Sequence, residues 1–354
     1  MPPKLALTRF SALLLALVAT AADAAPLPAL GADLSGVTVS GVSSGAYMAT
    51  QFQIAHSTLV GGAGILAGGP YDCAEASLLR ALRNCTTPGS STPPPTPTRT
   101  LERIRSHATA GRIDPVAGLR DDRVWVFSGG ADHTVDRAVV DSLLGFYRQQ
   151  IPEDALRFVT LPTAGHAMIS VASPKPNACE TSEAPFINRC GDFDAPGELL
   201  AHLLGPLQPR GTASARHLRR FDQAPYTPLA PVDLSLADEA LLYVPAACES
   251  GGCKVHVAFH GCRQGEEQIG LGFVGGAGYN EWAETNRLLV LYPQVRQRSG
   301  FAWGSWRWVY NPKGCWDWWG YTGNTYPTRE GAQIRAVRAM LEKLAEPPAT
   351  GTTD

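Results

Sequence analysis

The chain has 354 residues, an ordinary globular composition and a formal net charge of −2 at neutral pH. A charge so close to zero argues against nucleic acid or an anionic membrane surface as a partner, because both attract strongly basic proteins. The length fits one large domain or two small ones.

The N-terminus has the pattern of a secretory signal peptide. Basic residues precede a short apolar run that ends in Ala22-Asp23-Ala24, and two prolines follow closely. A basic start, a short hydrophobic segment and an A-x-A site are typical of a leader cleaved on export. The alternative, a buried N-terminal helix, is disfavoured by the prolines. We therefore predict a signal peptide over 1–24 and a secreted protein, extracellular or periplasmic, whose residues 25–354 form one catalytic domain.

Beyond the leader, short apolar runs alternate with helical segments. The pattern predicts strands over 37–40, 61–67, 124–127, 157–161, 241–244, 255–259 and 288–292. It predicts helices over 44–55, 137–150, 197–204, 279–285 and 330–344. Two segments are predicted as loops: 88–100, which should be extended and exposed, and 206–231. Short buried strands alternating with helices favour an α/β fold, with a central, mostly parallel sheet covered by helices on both faces.

The strongest local signal is Gly41-Val42-Ser43-Ser44-Gly45, which lies between a predicted strand and a predicted helix. In that context a G-x-S-x-G sequence is typical of a nucleophile elbow, a strained turn that raises the serine hydroxyl above the sheet. The same five letters also occur in plain turns, so the prediction depends on the context. We predict Ser43 as the nucleophile. The amide of Ser44, at the helix N-terminus, is predicted to donate to the oxyanion.

A serine nucleophile needs a base, and the base needs an orienting carboxylate. Asp132 follows the predicted strand 124–127, and His166 follows the next strand, 157–161. The carboxyl ends of parallel strands meet at one edge of a sheet. The order Ser, Asp, His along the chain is the one expected of α/β hydrolases. We therefore predict Asp132 and His166 as the acid and base of a catalytic triad.

Two nearby residues compete for these roles. His133 is adjacent to Asp132, but a base on the acid's own loop would be poorly placed to reach Ser43. A solvated or loop-capping role is expected for it. Asp72, beside Cys73, is expected to cap a turn.

The second half of the chain supplies a second oxyanion donor. The predicted strand 255–259 runs into His260-Gly261-Cys262. A His-Gly turn after a central strand is where α/β hydrolases form the other side of the oxyanion hole, so we predict the Cys262 amide as the donor. The alternative is a tight turn without a catalytic role. Such a strand ordinarily precedes the nucleophile in the chain, and its position after the triad indicates circular permutation.

Aromatic residues concentrate before the last predicted helix. The six tryptophans there are Trp303, Trp306, Trp308, Trp316, Trp318 and Trp319. For any one of them, packing in the core is the simpler explanation. Six together predict an apolar surface beside the catalytic site, suited to a hydrophobic ester.

The chain has eight cysteines, and none forms the repeated C-x-x-C pattern of a zinc site. We expect no metal and no cofactor. An even number of cysteines in an exported chain predicts disulfides, although roughly a hundred pairings are possible. The spacing favours three short loops, which leaves one long pair: Cys73–Cys85, Cys179–Cys190, Cys248–Cys253 and Cys262–Cys315.

Taken together, these segments resemble the extracellular poly(3-hydroxybutyrate) depolymerases, specifically the circularly permuted, single-domain type known from fungi. The similarity covers nearly all of the mature chain. The segments that carry it are Gly41-Val42-Ser43-Ser44-Gly45-Ala46-Tyr47-Met48, Ala67-Gly68-Gly69-Pro70-Tyr71-Asp72-Cys73, His260-Gly261-Cys262, Leu291-Tyr292-Pro293-Gln294 and Asn311-Pro312-Lys313-Gly314-Cys315-Trp316-Asp317-Trp318. The loop at 93–95 and the segment 303–308 do not match the family closely.

The resemblance implies a circularly permuted α/β-hydrolase fold and the same triad, oxyanion hole and disulfide pairing. It also implies that Trp318 lines the substrate-binding groove. The expected activity is hydrolysis of poly(3-hydroxybutyrate) or a related short-chain polyhydroxyalkanoate through an acyl-enzyme. The expected partner is a hydrophobic polyester or oligomeric ester, with no nucleic acid or membrane, and we expect a monomer. Two alternatives stay open: a general exported carboxylesterase acting on small or plant-derived esters, and a catalytically silent polymer-binding protein.

Overall fold

The computed structural model describes residues 25–348, so the predicted signal peptide, 1–24, lies outside the described residues. The strands are β1 Asp33–Val42, β2 Val60–Leu66, β3 Arg123–Gly129, β4 Leu156–Leu161, β5 Met168–Ile169, β6 Asn177–Ala178, β7 Ile187–Arg189, β8 Leu218–Asp222, β9 Glu239–Tyr243, β10 Lys254–Phe259, β11 Leu288–Tyr292, β12 Arg298–Ala302 and β13 Ser305–Asn311. The α-helices are α1 Ser44–Ala55, α2 Leu78–Asn84, α3 Pro97–Thr109, α4 Arg137–Tyr147, α5 Ala195–Leu204, α6 Glu266–Ile269, α7 Gly272–Gly276, α8 Tyr279–Thr285 and α9 Ala332–Ala345. Within the described range, no helix is both long and apolar enough to cross a bilayer.

Eight strands form one sheet in the order β4-β3-β2-β1-β10-β11-β9-β8. The six strands from β4 to β11 in this order run parallel, and β9 pairs antiparallel with both β11 and β8. The chain starts at the middle of the sheet with β1 and builds outward to β4. It then forms the opposite edge before β10 takes its place beside β1. This order confirms the predicted circularly permuted α/β-hydrolase fold.

Helices cover both faces of the sheet, as predicted, because successive side chains of each central strand point to opposite faces. In β11, Leu289 and Leu291 join the apolar cluster beneath α1, α4 and α9. Leu288 and Val290 join the cluster beneath α5 and α8. The inner strands are therefore buried on both sides, which explains why they form nearly continuous apolar runs in the sequence.

Two predicted loops contain regular structure. In 88–100, α3 begins at Pro97, because the Thr96 hydroxyl accepts a hydrogen bond from the Arg99 amide at 3.2 Å and proline suits the first helical position. In 206–231, the edge strand β8 was missed because a pair of arginines interrupts its apolar pattern, although Phe221 is buried.

The segment before the last helix, for which no strand was predicted, contains an antiparallel hairpin of β12 and β13. The two strands pair from Arg298 opposite Asn311 to Ala302 opposite Ser305. Gly304 lies in the connecting turn with a φ of 78°, a left-handed conformation that glycine adopts without strain. The hairpin lies outside the main sheet.

The buried carboxyl of Asp122 predicts a pH dependence of stability. Its Oδ2 accepts a hydrogen bond from Gln53 Nε2 at 2.7 Å, and burial raises its pKa from 3.8 to about 7. When the folded pKa exceeds the unfolded one, the folded state binds more protons. This group's contribution is therefore most favourable below the unfolded pKa, and it is lost as the pH rises from about 4 through about 7.

We expect Asp122→Asn to match the wild-type free energy of unfolding near pH 4 and to exceed it near pH 8. The gain should be roughly 1.4 kcal/mol for each unit by which the wild-type pKa is raised. Urea unfolding at the two pH values measures it. Asp121→Asn, at the exposed neighbouring position, is the control and should change the pH slope only slightly. Equal slopes for the wild type and Asp122→Asn would contradict the prediction.

Candidate active site

Ser43 lies in the turn between β1 and α1, with φ 58° and ψ −123°. A positive φ is strained for a serine, and such strain is typical of a nucleophile elbow. The Ser43 amide donates to the Leu66 carbonyl at the end of β2, at 2.9 Å, which holds the turn against the sheet. The predicted nucleophile therefore has the backbone conformation that its role requires.

Two glycines beside Ser43 allow the close packing of this turn. A Cβ atom at Gly41 would lie 2.3 Å from the carbonyl group of Gly45. One at Gly45 would lie 2.2 Å from the Phe259 carbonyl oxygen, at the end of β10. Neither position can accept a larger residue without moving backbone. The absence of side chains here lets α1 begin directly against β10.

Asp132 and His166 are hydrogen-bonded to each other. His166 Nδ1 lies 2.8 Å from Asp132 Oδ2, and the Asp132 side chain is 1% exposed. The other oxygen, Oδ1, accepts from the Thr134 and Val135 amides at 2.8 and 3.0 Å. A carboxylate held this way keeps the proton on Nδ1 and leaves Nε2 free to act as a base.

Ser43 and His166 line the same pocket, which has a volume of about 460 Å³. Within residues 25–348, the hydrogen bond formed inside the predicted triad is the one between His166 and Asp132. The bond from serine to histidine is often long in substrate-free enzymes and shortens when substrate binds. The structure thus places the three predicted residues at one site, with the nucleophile and base facing a shared cavity.

The two predicted oxyanion donors lie close to Ser43. Ser44 begins α1, Cys262 lies in the turn after β10, and both residues line the pocket. Neither backbone amide donates a hydrogen bond to another of the residues described between 25 and 348. Both are therefore free to bind a substrate oxygen, as an oxyanion hole requires.

The role of the His260 side chain was not predicted. The Val295 amide donates to His260 Nε2 at 3.2 Å, so the proton lies on Nδ1, which donates to the Gly261 carbonyl at 2.7 Å. Burial lowers the His260 pKa to about 4, so the ring stays neutral at ordinary pH. In a trans peptide the carbonyl and the next amide point in opposite directions. By holding the Gly261 carbonyl, His260 fixes the direction of the Cys262 amide.

Gln264 supports the same turn from its other side. Its Oε1 accepts from the Gly261 amide at 2.7 Å. Its Nε2 donates to the carbonyls of Pro185 and Phe186 at 3.0 and 2.9 Å. The only sequence signal for these contacts is the position of Gln264 two residues after Cys262, and their partners lie far away along the chain.

All eight cysteines form disulfides: Cys73–Cys85, Cys179–Cys190, Cys248–Cys253 and Cys262–Cys315. The last of these holds the oxyanion turn. The second braces the loop of His166, because the Gly165 amide donates to the Cys179 carbonyl at 2.9 Å. The first packs with Tyr47 and Trp318. One of the four disulfides thus lines the pocket, and two others hold residues or loops that contribute to its lining. Within residues 25–348, no group of three His, Cys, Asp or Glu side chains is placed to hold a metal.

The six clustered tryptophans do not form the single apolar surface that was predicted. Trp318 and Trp319 line the pocket, whereas Trp316 is fully buried in the core beside Phe259. The remaining three, Trp303, Trp306 and Trp308, are exposed on the β12–β13 hairpin. The prediction failed because sequence proximity cannot tell pocket, core and surface apart within a stretch that reverses direction.

Trp318 is held rigidly at the pocket wall. Its ring stacks on Tyr47 with a centroid distance of 4.3 Å and an interplanar angle of 16°. The preceding Asp317 is buried, and its carboxylate accepts hydrogen bonds from the three amides of 320–322. This turn presents the indole to the cavity. Tyr47 belongs to the site, although its role was not predicted.

The two competing residues lie elsewhere. His133 is exposed, in agreement with the solvated role expected for it. Asp72 does not serve mainly as a turn cap: its buried carboxylate accepts from Arg103 Nε at 2.8 Å and from the Tyr326 hydroxyl at 2.6 Å. The expectation was wrong because α3, which carries Arg103, was not predicted.

The chain is similar to proteins named as polyhydroxybutyrate depolymerases, although no protein-family model matches it. It is 37% identical over 326 residues to a poly(3-hydroxybutyrate) depolymerase of Delftia acidovorans, covering 90% of this chain and 61% of the relative. It is 32% identical over 337 residues to a polyhydroxybutyrate depolymerase of Talaromyces funiculosus, covering 94% and 96%. The chain thus spans about three fifths of the first relative and nearly all of the second.

Two solved structures are also similar, each covering 90% of this chain and 98% of the other. A PHB depolymerase from Penicillium funiculosum has a TM-score of 0.79 and 29% identity. A serine-to-alanine variant of a PHB depolymerase, complexed with an R3HB trimer, has a TM-score of 0.80 and 30% identity.

We expect Asp132→Asn to lower kcat for a soluble ester by about 10⁴-fold, because the amide favours the wrong histidine tautomer. The steady-state rate of hydrolysis of a p-nitrophenyl ester at saturating concentration measures kcat. Asp136→Asn is the matched control: Asp136 lies on the same loop but caps α4 through its contact with the Ala138 amide. It should leave kcat unchanged. Retention of kcat within tenfold in Asp132→Asn would remove Asp132 from the triad.

We also expect the double change Cys262→Ser, Cys315→Ser to lower kcat/KM by roughly tenfold to a hundredfold, because it loosens the turn that aims one oxyanion donor. The change keeps the Cys262 backbone amide itself. The control is Cys248→Ser, Cys253→Ser, which opens a disulfide that does not line the pocket. Ester hydrolysis by both variants, with thermal unfolding measured in parallel, tests this. An equal loss of kcat/KM in the two variants would count against a positioning role.

Proposed function

The chain belongs to the polyhydroxybutyrate depolymerase family, and from that premise we propose that it is an exported serine esterase acting on poly(3-hydroxybutyrate) or a related short-chain polyhydroxyalkanoate. The observation that carries the proposal is one pocket in which Ser43, His166 and two unpaired amides meet beside Trp318. The similar PHB depolymerase with its serine replaced, complexed with an R3HB trimer, supports the same substrate class.

The first half of the reaction is acylation of Ser43. His166 Nε2 takes the hydroxyl proton as the oxygen attacks the ester carbonyl, and Asp132 stabilises the resulting imidazolium. The negative charge on the former carbonyl oxygen is bound by the Ser44 and Cys262 amides. The intermediate then breaks its bond to the leaving alkoxide oxygen. His166 gives its proton to that oxygen, which releases the hydroxyl end of the polymer.

The second half is hydrolysis of the acyl-enzyme. His166, neutral again, takes a proton from water as the water oxygen attacks the acyl carbonyl. The same two amides bind the oxyanion. Collapse of the intermediate breaks the bond to Ser43, whose oxygen regains a proton from His166. The acid product leaves, and the enzyme returns to its starting state.

The pocket lining suits an aliphatic ester chain. Val42, Leu78, Leu82, Trp318 and Trp319 supply apolar surface around the nucleophile. We propose Trp318 as a substrate-binding residue, because its stacking on Tyr47 keeps a flat apolar surface in place without loss of side-chain freedom on binding. A small methyl-branched repeat unit can pack against such a surface.

The site of action is proposed to lie outside the cytoplasm, because the N-terminal pattern and four disulfides both fit an oxidising compartment. We also infer that residues 25–354 work as one catalytic domain. In support, the eight-stranded sheet takes strands from both halves of the chain, and Ser43 and Cys262 contribute to one pocket.

The experiment compares a cast film of poly(3-hydroxybutyrate) with a soluble p-nitrophenyl ester. We expect the wild type to hydrolyse both and Ser43→Ala to hydrolyse neither, since loss of the nucleophile lowers kcat by about 10⁶-fold. Ser91→Ala, on an exposed loop, is the control and should behave as wild type. A fluorophosphonate probe should label the wild type and not Ser43→Ala.

The outcomes separate the possible functions. Hydrolysis of the soluble ester without release of acid from the film would favour a general carboxylesterase and contradict the polyester proposal. No labelling and no hydrolysis by the wild type would indicate a binding protein without catalytic activity.

A further inference from the structure

The β12–β13 hairpin carries five exposed aromatic side chains. Trp303 and Trp306 are 101% and 97% exposed, and Phe301, Trp308 and Tyr310 are 64%, 66% and 50% exposed. Among residues 25–348, the large hydrophobic side chains that are exposed are leucines or aromatics, and all of these aromatics belong to this hairpin. Apolar side chains exposed together, rather than singly, mark a surface that binds something.

The strand pairing places these rings on one face. Gly300 lies opposite Val309, and both are buried against the body of the protein. Side chains alternate between the two faces of each strand, so the residues next to this buried pair point outward. Phe301 and Trp308 therefore lie side by side on the outer face, with their ring centroids 5.5 Å apart. We call the outward face formed by Phe301, Trp306, Trp308 and Tyr310, together with Trp303 at the turn, the aromatic face.

The aromatic face is uncharged. The charged side chain within β13, Arg307, alternates to the other side of the strand, where its Nη2 donates to the Thr322 carbonyl at 3.3 Å. Arg298, in β12, is buried and donates to the Arg307 carbonyl. A surface of this kind favours a neutral apolar partner over an anionic one.

The aromatic face is continuous with the catalytic pocket. Strand β13 carries Trp306 and Trp308 and ends at Tyr310 and Asn311. These last two residues line the pocket together with Ser43. On the helix α2, Leu78 and Leu82 also line the pocket and are 37% and 53% exposed. Exposed apolar side chains thus extend outward from the pocket itself. The partner that fits the face is one that also enters the pocket.

We propose that the aromatic face is the surface by which this protein adsorbs to solid polyester. The inference rests on the proposed function, but adsorption is a separate step from bond cleavage. A solid polymer presents a neutral, apolar surface far wider than a pocket of about 460 Å³. Rings packed on that surface hold Ser43 close to ester bonds, which raises their effective concentration. A soluble ester reaches the pocket without this contact.

The test measures adsorption of Ser43→Ala protein, with and without Trp303→Ser and Trp306→Ser, to poly(3-hydroxybutyrate) powder. The nucleophile is removed so that the polymer is not consumed. We expect the two tryptophan changes to weaken adsorption roughly tenfold or more, as loss of aromatic contacts does at other interfaces. Because both side chains are almost fully exposed, thermal unfolding should not change. Leu229→Ser, at an exposed apolar residue that does not line the pocket, is the control and should adsorb normally.

The same tryptophan changes with Ser43 intact test the link to turnover. We expect unchanged kcat/KM for a soluble p-nitrophenyl ester and slower hydrolysis of the film at low enzyme concentration. Trp303→Phe with Trp306→Phe should restore much of the adsorption, since an aromatic ring is kept. This pattern would not arise from damage to the active site.

Three results would overturn the inference. One is undiminished adsorption of the Trp303→Ser, Trp306→Ser protein. Another is a change of sedimentation behaviour in that variant without a change in adsorption, which would assign the face to contact between copies of the chain. The third is a loss of binding to phosphatidylcholine vesicles in that variant while its adsorption to the polymer is unchanged, which would assign the face to a lipid surface. Failure of the proposed function is distinct: the wild type would then adsorb through the aromatic face and release no acid from the film.

Discussion

The close backbone contact between the start of α1 and the end of β10 is the constraint on which the site depends. Gly45 touches the Phe259 carbonyl so closely that a Cβ atom would lie 2.2 Å away. That contact brings the turn holding Ser43 and the turn holding Cys262 together, so two free amides border one hydroxyl. Circular permutation leaves this geometry intact, because it requires only that β1 and β10 are neighbours in the sheet. The order in which the chain makes them is immaterial.

Covalent bonds reinforce the parts that the sheet does not hold. The proposed catalytic residues lie on loops, which are ordinarily the more mobile parts of a fold. Cys262–Cys315 closes a separation of 53 residues at the oxyanion turn, and Cys179–Cys190 closes one of 11 beside the loop of His166. Each restricts the unfolded chain and so stabilises the fold. At these positions each also limits movement of a group to which we assign a catalytic role.

Sequence patterns predicted that Ser43, Asp132 and His166 would come together at one site, because each follows a strand and carries its own local signal. Ser43 is flanked by glycines, and Asp132 and His166 lie in loops after apolar runs. The sheet followed from the same apolar runs. What could not be predicted depends on contacts between distant segments. The neutral state and tautomer of His260 are set by the Val295 amide and by burial. The separation of six neighbouring tryptophans among pocket, core and surface depends on a hairpin whose apolar residues face water, the reverse of the usual strand pattern.

The hairpin with its exposed aromatic residues is joined to the active site through one residue, Asn311. Asn311 ends β13, and its Oδ1 accepts from the Cys315 amide at 2.8 Å while its Nδ2 donates to the Cys315 carbonyl at 2.8 Å. Cys315 is bonded to Cys262, whose amide is the proposed second oxyanion donor. The exposed rings and the catalytic turn are therefore parts of one connected unit. If a polymer segment rests on the rings as proposed, this connection would hold it in a set orientation to Ser43, and fixed orientation of the reacting groups is a large part of what lowers a reaction barrier.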